Sequence, residues 1–456
     1  MTEKVTKLAL ASRLIVILLQ LLSNNLAPDY KPDVFRAPPK SFTFQKNFLI
    51  KNTDSFLDKT INFCLHGLRH WDGEYFLHIA EHTYSYENTL AFYPLYPLVV
   101  RMLAKFFNIL SLFIGLSVSL RSWTLIVAAA LNVYCFCRAA SCLYELTQRI
   151  FGDANKSWNA ALLFCFNPAS IFFSAAYSEA LFCWLSLQLM LECVTEMRAL
   201  RITTTLALTI VSRSNGLVSA GFPIYFYLRK LILRPVQDNF MIIFRWLFCF
   251  VMALIPLTVF NFYAFQQFCQ TNHAVSHAPE VVAYARARNY VLAGNRQPQN
   301  SPWCEKSFPF PYSYVQSHYW HVGFMRYYEL KQLPNFLLAF PVLAFIINHC
   351  YKYFKHVSRS LLPKYPYRHL LDEYKSLPFV LHALFLALFC TFFVHIQIST
   401  RLLCSSTPCL YWFAADYMPK TLDQVKLRSK TGFILVWFGF YCVLGTVMFS
   451  NNLPWT

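Results

Sequence analysis

Charge is scarce in this sequence. Only 14% of its 456 residues are Asp, Glu, Lys or Arg, whereas 56% are hydrophobic, and the mean hydropathy is +0.37. So little polar surface cannot cover a soluble globule of this size. Acidic residues are the rarest, 22 against 40 basic ones, which leaves a net charge of +18. The basic residues sit in short stretches between apolar runs, the positive-inside pattern of a polytopic membrane protein, and this argues against nucleic acid as a partner. Cysteine-based metal spacing is also lacking. None of the fifteen cysteines belongs to a C-x-x-C pair, and most (Cys135, Cys137, Cys165, Cys183, Cys249, Cys390) lie in apolar runs as small hydrophobes. Cys269 and Cys304 share one long polar loop, where a disulfide and two free thiols are equally good readings. No internal repeat or low-complexity tract stands out, which counts against a transporter of two similar halves.

What is present is a series of apolar segments of spanning length, at 8–26, 92–117, 122–140, 158–177, 179–196, 202–228, 241–265, 336–351, 377–399 and 431–449, about ten in all. The first follows Lys4 and Lys7 without a convincing small-x-small cleavage site, so it reads as a retained signal-anchor. Basic residues flank the spans in three places: Lys4 and Lys7; Arg229, Lys230 and Arg234; and Lys352, Lys355, Arg359, Lys364, Arg368 and Lys375. With all three cytosolic, span parity puts loops 27–91 and 266–335 on the opposite side, together with the sequon Asn155-Lys156-Ser157. The chain, 1–456, is expected to be one α-helical polytopic membrane domain with two long extracytosolic loops. Such loops usually carry function.

The first loop ends in "HWDGEYFLHIAEHTYSYENTLAFYPLYP", His70 to Pro97, crowded with titratable groups. His78, Glu81 and His82 spell H-x-x-E-H, which on a helix puts two imidazoles on one face, as a zinc protease requires. No third ligand accompanies them, and an amphipathic helix at the membrane surface explains them as well. On that reading Trp71, Tyr75 and His78 lie at interfacial depth while Glu74 and Glu81 face water. Asp72 follows Trp71 and precedes Gly73. It suits a general base for a sugar hydroxyl with the indole as stacking floor, and equally a helix N-cap. Asn167-Pro168-Ala169 matches the N-P-A box of water channels but lacks a second copy. It reads as a broken span, with a cavity expected beside Asn167. Glu179 and Arg213 lie deepest in apolar context, where a charge costs at least about 2.5–3.5 kcal/mol and so faces a partner or a cavity. Arg213 can also match a phosphate with its planar fork.

The stretch from Trp71 to Pro97 resembles the GPI mannosyltransferase 2, or phosphatidylinositol-glycan class V, family. So do "NPASIFFSAAYSEALF" (167–182), "SRSNGLVSAGF" (212–222), "YVQSHYWHVGFMRYYELKQLPNFLLAFP" (314–341), "RLLCSSTPCLYWFAA" (401–415) and the closing "LPWT", in order over nearly the full length. Thr83 and Tyr93 stand where that family commonly has glycine and phenylalanine. The resemblance implies a GT-C-type glycosyltransferase of the endoplasmic reticulum membrane with its site in the first luminal loop. It implies addition of the second, α-1,6-linked mannose to the GPI precursor from dolichyl-phosphate mannose, with inversion. Its partners are then lipid substrates. It makes no cofactor certain, and a divalent metal and a small membrane subunit stay open. On this reading Asp72 is the base. Trp71, Glu74, Glu179, Arg213, Asn215, Gln316, Trp320 and Arg326 are expected to contact substrate, with Arg213 and Arg326 as candidate cations for the leaving phosphate. A GT-C enzyme acting on an N-glycan precursor is the alternative, and a channel or transporter a weaker one.

Overall fold

Two long apolar helices set the frame, and their side-chain contacts fix the orientation of everything else. In a computed structural model of the protein, residues 1–31, 34–36, 55–233, 239–270, 275–294, 301–360, 374–419 and 429–455 are described. Arg234, Lys364 and Arg368 of the expected basic loops lie outside them. Helix α1 (Thr2–Leu26) and helix α5 (Leu120–Phe151) run antiparallel. At one end Thr6 Oγ1 lies 3.0 Å from Ser141 Oγ. At the other, α2 (Phe56–Leu65) bridges the two. Its Cys64 carbonyl accepts from Gln20 Nε2 at 2.6 Å, and its Asp58 accepts from the backbone N–H of Ser119, just before α5, at 2.9 Å. The end carrying α2 is termed the site face. The end carrying Thr2 and Phe151 is the basic face.

Helix α3 (Asp72–His82) and helix α4 (Leu95–Phe113) follow on the site face. By length and composition, six helices among the described residues are fit to cross a membrane, against about ten expected, and α4 is one of them. Its contacts, however, keep it on one face. Arg101 Nη1 donates to the carbonyls of Ala80 and Glu81 at the end of α3, both at 2.8 Å, and Ser111 Oγ accepts from Trp123 Nε1 near the start of α5. The chain then reaches Ser119 on Asp58. Leu98, Met102, Phe106, Ile109 and Phe113 are exposed along α4. That is the character of a helix lying along a membrane with its apolar side in lipid.

With α4 removed from the count, the segment between α5 and α6 falls on the face opposite to that expected. Lys156, at the start of α6 (Ala154–Cys165), pairs with Asp416 at 2.6 Å, and Trp412 Nε1 donates to Thr147 Oγ1 near the end of α5 at 2.7 Å. The sequon at Asn155 therefore shares the basic face with Thr2, which corrects its expected placement. The physical reason is that apolarity alone does not separate a lipid-facing surface helix from a spanning one.

Several expected spans are broken inside. Helix α6 stops at Cys165, before Asn167-Pro168, and a 3₁₀ turn (Ser170–Phe173) leads to α7 (Glu179–Val194). Helix α8 (Ala199–Ser212) gives way to a 3₁₀ stretch (Ser214–Ala220) before α9 (Gly221–Leu233). A Cβ at Gly216 would collide with the Thr209 carbonyl, so the close return of this chain requires glycine. Non-helical backbone at membrane depth must find protein partners. Buried Arg13 of α1 supplies them: its Nη1 donates to the Ser170 carbonyl at 2.6 Å, its Nη2 to the Cys165 carbonyl at 2.9 Å, and its guanidinium lies 3.9 Å from the Phe136 ring centroid. Asn167 closes the turn itself, donating to the Phe164 carbonyl and accepting from the N–H of Ala169. Asn167 is wholly buried. The break is thus packed by side chains, where a cavity was expected.

Helix α10 (Asn239–Phe268) returns to the site face, where α11 (Pro279–Arg288) and α12 (Pro311–Trp320) fold onto the first loop. Glu87 is buried and accepts from Trp303 Nε1 and Tyr319 Oη, both at 2.8 Å, and Cys269 is disulfide-bonded to Cys304. The two long loops therefore form one cap. Helices α13 (Leu333–Ser360) and α14 (Leu377–Phe392) follow. Then α15 (Ser399–Ser406) and α16 (Cys409–Ala415), parted at Thr407-Pro408, lead inward from the cap to Asp416 on the basic face. Helix α17 (Lys430–Ser450) brings the chain back to the site face, where the Ser450 carbonyl lies 3.1 Å from His70 Nε2. An epitope inserted at Asn155 and one at the N-terminus should therefore share protease accessibility in sealed microsomes, and one at the C-terminus should show the opposite. Protection of the Asn155 tag alone, with the N- and C-terminal tags both digested, would restore the original parity.

Candidate functional site

Asp72 opens α3 and is preceded by Trp71 at φ 56°, ψ −125°, a backbone conformation that costs a non-glycine residue about 1–3 kcal/mol. The surroundings hold it there. The backbone N–H of Ala176 donates to the Leu68 carbonyl at 2.9 Å, and the Asp72 N–H donates to Tyr177 Oη at 3.0 Å. Tyr177 Oη in turn donates to the His70 carbonyl at 3.3 Å. The broken stretch after α6 therefore grips the residues that present Asp72.

Four charges then alternate across the buried interior. Arg401 of α15 donates through Nη2 to Asp72 Oδ2 at 2.6 Å, and its Nε lies 3.7 Å from Glu179 Oε1. Glu179, at the head of α7, is ion-paired with Arg213 on its other side. The charges cancel in sum, which is the condition for keeping them in an apolar interior. Exposure is uneven: the Glu179 side chain is 1% exposed and that of Asp72 31%. Asp72 is the open end of the chain.

The structure thus unites Asp72, Glu179 and Arg213, and it adds Arg401 and Tyr177, which sequence reasoning did not single out. Arg401 stood at the head of "RLLCSSTPCLYWFAA". The signal available was the cost of a lone cation leading a buried apolar stretch. Glu74 is committed elsewhere. It is buried and takes Arg69 through Nε at 2.6 Å and Nη2 at 3.1 Å, so it braces α3. Asn215 donates to Ser406 Oγ at 2.8 Å, one step from the ion chain along α15. Trp320 packs near Tyr75 and Phe92, with ring centroids 6.0 and 6.1 Å away, and the backbone carbonyl of Gln316 accepts from Val322 at 3.0 Å. Arg326 is exposed, beside Tyr327, whose ring stacks on His395 at 4.6 Å.

The H-x-x-E-H stretch is packing. His78 is fully buried, stacks on Tyr86 at 4.9 Å and meets the edge of Phe35, and among the described residues neither ring nitrogen has a hydrogen-bond partner. Among the described residues no third metal-binding side chain joins His78 and His82. Nor is α3 a surface helix, since Tyr75 and Glu74 are buried with His78. Burial, helped by His82, pushes the His78 imidazole down to about 3. The unfolded chain takes up this proton near pH 6.5 and the folded chain refuses it, so stability falls as pH drops below about 6.5, by up to about 1.4 kcal/mol per pH unit. In His78→Phe the fall in melting temperature between pH 7 and pH 5 should be smaller than in the parent; an unchanged fall would remove His78 as a source of acid sensitivity.

Thr83 closes α3 at φ 62°, ψ −159°, a region otherwise kept for glycine. This accounts for the glycine that the resembling family has there. Thr83→Gly should gain about 1 kcal/mol in thermal or denaturant unfolding of the detergent-solubilised protein. A loss would mean that the hydroxyl's contacts outweigh the backbone strain.

Comparison with known proteins gives a consistent result. The family profile described as "Mannosyltransferase (PIG-V)" matches residues 2–456. The chain is 52% identical to a Drosophila melanogaster protein named GPI mannosyltransferase 2, over all of both chains. It is 34% identical to the Homo sapiens protein named GPI alpha-1,6-mannosyltransferase 2, over 100% of this chain and 98% of that one. It is 30% identical to a Schizosaccharomyces pombe protein named GPI mannosyltransferase 2, over 84% and 72%. No solved structure matches.

Proposed function

Because the chain belongs to the PIG-V mannosyltransferase family, we propose that it transfers the second, α-1,6-linked mannose to the GPI precursor in the lumen of the endoplasmic reticulum, with dolichyl-phosphate mannose as donor. The observation that carries the reading is Asp72, a carboxylate at the most exposed end of an ion chain whose middle member, Glu179, is buried. Its face suits a luminal site. The Cys269–Cys304 disulfide lies in the same cap, and disulfides persist in oxidising compartments. Lys4, Lys7, Arg149, Lys156, Arg198 and Arg201 gather towards the opposite face, as the cytosolic side requires.

The chemistry follows from that geometry. The acceptor's 6-hydroxyl oxygen attacks C1 of the mannose while the bond from C1 to the phosphate oxygen breaks, and its electron pair leaves with the dolichyl phosphate. Inversion at C1 turns the β-linked donor into an α-linked product. The hydroxyl proton passes to Asp72, whose Oδ2 is fixed by Arg401 so that Oδ1 can face the acceptor. The phosphate leaves already ionised, so no second carboxylic acid is needed, and Glu179 instead serves to hold Arg401 and Arg213. With Arg213 committed to Glu179, Arg326 is the cation assigned to the departing phosphate.

Cells lacking the chain should accumulate a GPI precursor with a single mannose, and wild-type protein should restore elongation in washed membranes given dolichyl-phosphate mannose but not GDP-mannose. Asp72→Asn, at equal membrane abundance, should lose at least about 10²-fold in transfer. Near-normal transfer would reduce Asp72 to a structural partner of Arg401; it is no helix cap, since Trp71 holds the N-cap position of α3. A pool stalled at no mannose or at two would assign another step, and shortened N-glycan intermediates with normal GPI precursors would assign another acceptor.

A further inference from the structure

Just before Asp72, three chain segments meet that the ion chain does not use. The segment after α1 brings Asp29, the turn after α2 brings His66 and His70, and the end of α17 brings the Ser450 carbonyl. One ligand atom from each of Asp29, His66 and His70 lies within 4.8 Å of the others. The separations are 3.5 Å from His66 Nδ1 to Asp29 Oδ2, 3.6 Å from His70 Nε2 to Asp29 Oδ1, and 3.1 Å from His70 Nε2 to Ser450 O. The first two are long for hydrogen bonds. Bonds of 2.0–2.1 Å to a tetrahedral ion would place neighbouring ligand atoms about 3.3–3.4 Å apart, in the middle of this range. Among the described residues Asp29 Oδ1 is moreover buried with no donor within 3.5 Å, His70 Nε2 standing just beyond at 3.6 Å. A buried acceptor of this kind is costly unless something fills its place.

We propose that Asp29, His66 and His70, with the Ser450 carbonyl as fourth donor, form a binding site for one divalent zinc-type cation. Two imidazoles with a carboxylate and a carbonyl are the donor set of a borderline metal ion, and the small spacing suits four-coordination. The site is placed to position and not to react. His70 is two residues from Asp72, and its own carbonyl is the one that Tyr177 Oη meets. An ion here would tie the first loop and the end of the chain to the strained Trp71–Asp72 peptide. Arg69 stands close, but its charge is met by Glu74.

The test uses the full-length protein, purified in detergent through a tag without histidine and dialysed against trace zinc. The wild type should retain about one zinc per chain by elemental analysis, and cobalt substitution should give the visible absorption of a tetrahedral ion. Asp29→Asn and His66→Gln should each lose both signals, and a chelator should lower the wild-type melting temperature while leaving that of the variants unchanged. A wild type without bound metal or cobalt absorption overturns the proposal even where the variants fail to fold, and so does metal retained in well-folded variants. None of these readouts depends on which sugar acceptor the enzyme uses.

Discussion

Arg13 is the charge on which the interior depends. A break in a membrane helix frees carbonyls that lipid cannot satisfy. Arg13 reaches the freed carbonyls of Cys165 and Ser170 from the neighbouring helix and covers its own charge with the face of Phe136. This lets the chain leave the helical path after Cys165 and turn back, which delivers Tyr177 and Glu179 to the interior end of the cap. Without the turn, α6 and α7 would read as one span and there would be no hydroxyl to hold the peptide before Asp72. A cation buried far from any reacting group thus makes the site geometrically available.

The alternation Asp72, Arg401, Glu179, Arg213 follows the same economy. Each charge is expensive alone in an apolar interior, and removing one partner would leave another uncompensated. The Asp72 end is the most exposed member of the chain, while Glu179 anchors the middle. On the function proposed above, these charges are in place before the donor arrives, as preorganised electrostatic catalysis requires. The aromatic packing of Tyr75, Phe92 and Trp320 beside α3 keeps that end of the chain rigid.

Much of this was legible in the sequence. Asp72 stood out because a carboxylate between tryptophan and glycine ahead of an apolar run is unusual, and Glu179 and Arg213 because of their apolar surroundings. The spans at 8–26, 241–265, 336–351 and 431–449 each fall within a single helix. What periodicity and hydropathy could not convey was pairing. Arg401 and Asp72 are 329 positions apart, and nothing local to either announces the other. Helix α4 was misjudged for a related reason: its apolar side meets lipid whether it crosses or lies flat, and only Arg101 and Ser119 reveal which. The Asp29 cluster escaped because its members are distributed over separate loops, and motif spacing speaks only of neighbours.

The separation of these partners has a consequence for biogenesis. Asp72 is translated before Glu179 and Arg213, Arg401 follows Asp72 by 329 positions, and Ser450 follows its neighbour His70 by 380. Until Arg401 is in place Asp72 lacks its ion-pair partner, and the native arrangement of the first loop is not complete before α17 has folded against His70. Assembly of the centre is therefore a late event governed by contacts of very high sequence separation, which form slowly and expose intermediates to misassembly. A chain stopped before Arg401 leaves Asp72 without its ion-pair partner.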